Sequence, residues 1–277
     1  MKWGGVLTFE EEEHLKNLAV VRKMRLIDDD FMSKYFDGFI EGTELLLNII
    51  LQRDDMKVLS VKSQEEYKGM YGRSIILDIY AVDKDKKVYD IEIQRADRGA
   101  GVKRARFHSS MLDTKLLKAG ENFNRLIDTY VIFITENDVI GKALPIYHVE
   151  RKFLETDELF GDGTHIIYVN GAYDDTDDPI GRLMFDFFCQ DYKKMYHPVL
   201  AKRYFYFKET KEGLDTMCKL VEDRVQERVK ETEIRVARET AKSLLRTNKL
   251  TLEEVAEASR LSLDEVRQIA EELKKGA

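Results

Sequence analysis

Apolar residues recur along this chain at two spacings, and the switch between them marks its elements. Residues 8–24 are densely charged and fit a helix. Asp28–Asp30 read as a helix start, followed by Phe31, Tyr35 and Phe36 at helical spacing. After the break at Gly38, a second helix is predicted from about Gly42 to Gln52, with Leu45, Leu46, Ile49 and Ile50 on its buried face and Glu44 beside it. The period then shortens to two. Ser74–Val82, rich in Ile, Leu and Tyr, and Val88–Gln94, alternating apolar with polar, predict two strands joined by the polar turn Asp83–Lys87. A basic segment, Arg95–Arg106, leads into a helix ending near Ala119-Gly120, where Gly favours a stop. Further strands are predicted at Tyr130–Thr135, Ile146–Val149 and His165–Val169, and a helix over about Ile180–Met195. From about Lys211 a long charged helix carries Leu214, Met217, Val221, Val225 and Val229 at helical spacing, and two short helices follow. The division predicted is 1–208 as one domain and 209–277 as a helical tail.

Composition narrows the class. With 43% hydrophobic and 35% charged residues in 277, the chain fits a globular protein with an ionised surface. Its longest apolar runs, such as Val131–Ile134, are too short to span a bilayer, so no membrane association is expected. No basic stretch followed by an apolar one opens the chain, and Cys189 and Cys218 have no metal-ligand spacing; both features fit a cytoplasmic protein. A net charge of −7 speaks against a chain coated for nucleic acid, yet binding depends on where charges lie rather than on their sum. A site holding a divalent ion also needs a local surplus of carboxylates.

Candidate chemistry concentrates in the two central strands. Side chains two apart on a strand share a face, so Asp90, Glu92 and Gln94 line one side of the second strand while Tyr89, Ile91 and Ile93 line the other. The first strand carries a single acid, Asp78, within Ile75–Ala81, where an uncompensated carboxylate is costly. Closing the hairpin on Asp83–Lys87 puts Asp78 across from Glu92 to within about one residue. A shared face requires Asp78 to oppose an even-numbered position, which an odd-length loop or a bulge permits. Two such acids suit Mg²⁺, with Mn²⁺ as a substitute, and Gln94 one step along would orient an attacking water.

Longer stretches carry a resemblance. Gly72–Ile79, Asp90–Arg95, Arg104–Asp113, Tyr130–Glu136, His165–Gly171 and Asp178–Met184 are similar, in order and spacing, to the transposase-associated branch of the PD-(D/E)XK nuclease superfamily, which includes the recombination-promoting nucleases. The resemblance covers about residues 28–208. It implies an α/β restriction-endonuclease-like core, with a mixed central sheet flanked by helices and a C-terminal helical extension. It also implies Mg²⁺-dependent cleavage of DNA and a link to mobile elements. Two positions depart from the superfamily's pattern. The usual Lys is Gln94, which matches the branch but is neutral, so transition-state charge must be met elsewhere. The residue commonly Asn before the Ile-Glu pair is Asp90, a third carboxylate that either holds a second metal or faces solvent. An acid of the first helix often completes the superfamily's site, and Glu44 after Thr43 fits that role by position.

Around the strands, Arg95, Arg98, Lys103, Arg104 and Arg106 form a basic run opposed by Asp97, placed either to grip phosphates or to be a solvated helix start. Gly99 to Gly101 would let a backbone approach closely beside Arg95 and Lys103. His108 is expected to pack rather than to catalyse. In the tail, Thr251–Glu254 and Ser262–Glu265 are capping boxes, and the two short helices read either as a helix-turn-helix exposing Arg267 and Gln268 or as a packing and assembly pair. The long helix before them offers apolar seams for a second copy of the chain, a homodimer. The reading is a metal-dependent DNA endonuclease; the alternative is a weakly active or inactive nucleic-acid-binding or assembly protein on the same fold.

Overall fold

The computed structural model describes residues 8–67, 74–95, 97–247 and 249–275. Gly72 and Arg73 of the first motif above lie outside the described residues, as do the side chains of Asp97 and Arg98. Three helices open the chain: α1 (Phe9–Lys23), α2 (Asp29–Phe36) and α3 (Ile40–Ile50). Six strands follow: β1 (Val58–Tyr67), β2 (Ile75–Asp83), β3 (Val88–Gln94), β4 (Thr129–Thr135), β5 (Ile146–Val149) and β6 (Thr164–Asn170). Helix α4 (Val102–Leu116) lies between β3 and β4, and α5 (Pro179–Phe188) and α6 (Pro198–Glu209) come after β6. The tail comprises α7 (Lys211–Thr247), α8 (Leu252–Ser259) and α9 (Leu263–Lys275).

The sheet order is β1-β2-β3-β4-β6-β5. β1, β2 and β3 run antiparallel in sequence, β3, β4 and β6 are parallel, and β5 returns antiparallel on the edge. This is the mixed sheet flanked by helices, with a helical C-terminal region, that the resemblance implies. Central placement explains why β3 and β4 are buried almost throughout although β3 alternates in sequence. Side chains of one sheet face (Val88, Val131, Phe133 and Tyr168) pack with Ala105 and Leu112 of α4. On the other face, Tyr89, Tyr130 and His165 stack in a row across three strands.

Two elements depart from expectation. β1 is a strand whose polar run Lys62–Glu66 hides the period; it is an edge strand, pairing on one side, so solvent accepts its charged residues. The helix expected over Ile180–Met195 stops at Phe188, and Pro198, at the first turn of α6, begins a new one. Between them Asp186, fully buried, accepts the Tyr196 and His197 N–H groups at 2.7 and 3.0 Å, so the connection is held rather than slack.

The chain divides into two compact units, Met1–Cys218 and Lys219–Ala277. The second has its own small core of Ala241, Val255, Val266 and Ile269. Both capping boxes of the tail form: Glu254 N–H donates to Thr251, and Glu265 N–H to Ser262. Arg260 ends α8 at φ +58, the left-handed cap that glycine usually supplies.

The hairpin that aligns β2 with β3 depends on Asp83. Its carboxylate is buried and accepts the N–H of Asp85 (2.8 Å), the N–H of Lys87 (2.9 Å) and the hydroxyl of Tyr89 (2.8 Å). Removing the acceptor leaves donors unpaired. Asp83→Ala should cost about 2–4 kcal/mol in urea denaturation; an unchanged midpoint would show that the turn does not depend on it.

Candidate active site

The β2–β3 ladder stops just where the acids begin. Its pairs run Val82↔Val88, Ala81↔Tyr89, Tyr80↔Asp90 and Ile79↔Ile91, so the five-residue turn sets even positions opposite even ones. The next pair would be Asp78 and Glu92. There the backbone bonds give way to side chains: Asp78 N–H donates to Glu92 Oε1 at 3.1 Å, and Ile93 N–H donates to Asp78 Oδ2 at 3.0 Å. Each carboxylate satisfies an N–H of the other's strand. β2 changes phase at the same point, since Leu77 and Tyr80 both pack on the α4 side. Opposite, Gln64 of β1 takes φ +53, and its amide reaches Asp78 Oδ1 at 3.5 Å.

Asp78 and Gln94 line a groove with Asp29, Gln64, Ile93, Lys103, Arg104, Phe107 and His108. Glu92 is fully buried behind it. Helix α4 crosses this face of β3, and its i, i+4 pair Arg104 and His108 faces the acids. Arg104 Nη2 lies 2.8 Å from Glu92 Oε2 and Nη1 3.5 Å from Gln94 Oε1. Its Nε donates to His108 Nε2 at 3.2 Å, and His108 Nδ1 lies 2.8 Å from Asp90 Oδ2. Asp90 is fully buried, so the solvent-facing alternative for it is excluded. The other oxygen, Asp90 Oδ1, has no hydrogen-bond partner among the described residues.

Burial sets the electrostatics. Desolvation, then the charge of Glu92, pushes Asp78 up to about 7. Desolvation, then Asp90, pushes Glu92 up to about 8, against the lowering by His108 and Arg104. Asp90 is raised well above the carboxylate range, chiefly by burial. Asp29, which a sequence reading takes only for a helix start, is raised by burial and by Asp30 and faces the same groove.

Glu44 requires a correction. It does not join the groove: its Oε1 accepts Val58 N–H at 3.0 Å and its Oε2 lies 3.4 Å from Lys57 Nζ. Val58 pairs with Asp83, at the turn end of the sheet, so Glu44 ties α3 to β1 far along the strands from Asp78. The α2 acid Asp29 lines the groove instead. Arg95 is also drawn aside, into ion pairs with Asp28 (3.0 Å) and Glu136 (3.3 Å), to which Arg25 is bonded as well. Lys103 and Arg104 line the groove, whereas Arg106 is exposed and does not.

With this geometry in place, one comparison points to a family. Residues 41–171 match the model of the PD-(D/E)XK nuclease family transposases. Over this segment the chain is similar to that family. No curated protein and no solved structure gives a significant match. The matched segment runs from α3 past the end of β6, so it contains Asp78, Asp90, Glu92, Gln94, Arg104 and His108, while Asp29 lies before it.

The chemistry of these acids suits a divalent cation. Asp78 and Glu92 are mutually repelling and desolvated, and Asp78 borders a groove open to solvent, as a magnesium ion that keeps part of its water requires. Asp90, Glu92 and His108 also approach within 4.8 Å of one another. Asp90 and Glu92 are fully buried there, His108 borders the groove, and its two imidazole nitrogens are engaged by Asp90 and Arg104. Glu92 belongs both to this cluster and to the pair with Asp78.

The raised acids give a signed dependence on pH. In the unfolded chain a carboxyl ionises near its ordinary value of about 4, but the folded protein keeps these protons until about 7 for Asp78 and 8 for Glu92. The folded state binds more protons between those limits, so metal-free stability falls as pH rises from about 4 to 8. Asp78→Asn keeps an acceptor for Ile93 N–H and removes one charge. At pH 8 in EDTA it should melt a few degrees above wild type, about 2–4 °C per kcal/mol for a domain of this size, with the gap closing by pH 5. A variant that melts lower at pH 8 would contradict this assignment of strain.

Proposed function

We propose that the chain is a divalent-metal-dependent DNA endonuclease that hydrolyses phosphodiester bonds, acting on the DNA of mobile elements as its family name suggests. The observation that carries this reading is the reciprocal pair Asp78–Glu92, proton-holding acids at a groove edged by Lys103 and Arg104. Asp78 and Glu92 would hold the cation, Mg²⁺ or Mn²⁺ in its place. When bound, the ion lends positive charge to phosphate oxygens and eases deprotonation of water. Gln94 accepts a hydrogen bond from the attacking water and sets its direction. A water oxygen bonds to phosphorus as a phosphorus–ester oxygen bond breaks; the water loses a proton and the departing oxygen takes one up, leaving a hydroxyl end and a phosphate end. Lys103 contacts the flanking backbone phosphates, where an exposed ammonium serves as a point charge.

Two further assignments complete the proposal. The helical tail serves assembly: Val225, Val229 and Val236 stand exposed along α7 at spacings of four and seven, a seam for a second copy. Residence in the cytoplasm fits the free thiols of Cys189 and Cys218.

Incubating supercoiled plasmid with purified protein and Mg²⁺ or Mn²⁺ tests the activity. Nicked or linear DNA is expected from wild type and none from Asp78→Ala; equal cleavage by both, or by neither, removes the nuclease reading. Gly99 gives a second, finer test. A Cβ there would lie 1.9 Å from Gln94 Oε1, the far end of a side chain that would swing aside. Gly99→Ala should keep its melting temperature yet cleave about tenfold to a hundredfold more slowly, as a misplaced orienting group does. Full activity in that variant would deny Gln94 its role.

A further inference from the structure

Phosphodiester hydrolysis adds negative charge to the phosphate oxygens. Here that charge develops beside Asp78, Asp90 and Glu92, and Gln94 carries a neutral amide. Arg104 brings a guanidinium to the same place, bonded to Glu92 Oε2 at 2.8 Å and within 3.5 Å of Gln94 Oε1.

The way Arg104 is held is informative. A guanidinium has donors only, so the contact from Arg104 Nε makes His108 Nε2 the acceptor. The ring proton of a neutral His108 then sits on Nδ1 and is donated to Asp90 Oδ2. Asp90, His108, Arg104 and Glu92 thus close a ring between β3 and α4. Two repeats build it: Asp90 and Glu92 are two apart on a strand, and Arg104 and His108 four apart on a helix. Asp90 and Glu92 are 0% exposed and His108 is 2% exposed, whereas the Arg104 side chain is 40% exposed and reaches the groove. The buried part of the ring is scaffold, and its wet end is a cation aimed at the place a phosphate would take.

We propose that Arg104 supplies the positive charge that meets the phosphate as it is attacked, and that Asp90 and His108 are positioning residues that hold its guanidinium against Glu92 and Gln94. This rests on the nuclease reading above. It gives Asp90 a role other than that of a second metal ligand, and Arg104 one beyond gripping DNA. A residue that only grips DNA holds ground state and transition state alike and changes KM, whereas a charge felt in the transition state changes kcat.

The test uses the full-length protein, an oligonucleotide duplex and Mn²⁺. Arg104→Met should lower kcat by about 10²–10³-fold, the loss typical of removing one transition-state donor, with KM within about threefold. His108→Leu should show most of that loss, while His108→Gln, which keeps an oxygen acceptor for Arg104 Nε, should stay within about tenfold of wild type. ¹⁵N NMR of the metal-free wild type should show His108 as the neutral Nδ1–H tautomer, and Arg104→Met should alter its ring shifts. A raised KM at unchanged kcat in Arg104→Met, equal rates in both His108 variants, or an Nε2–H tautomer would overturn the proposal. Should His108→Leu fail to fold, Arg104→Met and the tautomer decide. A wild type that does not cleave sinks the nuclease reading, whereas an active wild type matched in kcat by Arg104→Met sinks this inference alone.

Discussion

The site depends on an interrupted ladder. Between Ile79 and Ile91 the two central strands bond as a sheet should; one step further, Asp78 and Glu92 replace backbone carbonyls as acceptors for each other's strands. Backbone N–H groups at this depth require acceptors, and here carboxylates provide them. The arrangement keeps two acids near each other although charge and desolvation drive them apart. It also commits β3 to the centre of the sheet, because only there does α4 cover the face that carries Asp90 and Glu92 and bring Arg104 and His108 onto them. The result is a site whose acids are raised by burial and by each other, a local cost common at functional sites.

Much of this was legible in the sequence, because it follows from local periods. The alternation of Val88–Gln94, the acid in Ile75–Ala81 and the polar turn between them predict the hairpin and the pairing of Asp78 with Glu92. What was not legible concerns distant segments. Nothing in the spacing of Arg104 and His108 shows that α4 crosses β3, so His108 reads as packing and Asp90 as solvent-facing or metal-bound. Asp29 reads as a helix start because its place in the groove is set by how α2 meets the sheet. Glu44 misleads for the same reason: it lies on an early helix, as the resemblance asks, but α3 delivers it to Val58 at the opposite end of the strands. β1 escapes notice because an edge strand tolerates the polar residues that blur its alternation.

Basic residues divide by the same logic. The run from Arg95 to Arg106 is continuous in sequence, yet the fold sends its members to different tasks. Arg95 is locked with Asp28 and Glu136, Arg106 is exposed outside the groove lining, and Lys103 and Arg104 line it. A net charge of −7 says little about this groove, since Lys103 and Arg104 line it and burial raises Asp78 and Glu92.

The most direct measurement of the central claim is the location of the cation itself. Crystals grown with Mn²⁺ and measured for its anomalous scattering should place a peak between the Asp78 and Glu92 carboxylates, bordering the groove. A peak enclosed by Asp90 and His108, or none near either acid at saturating Mn²⁺, would contradict the account.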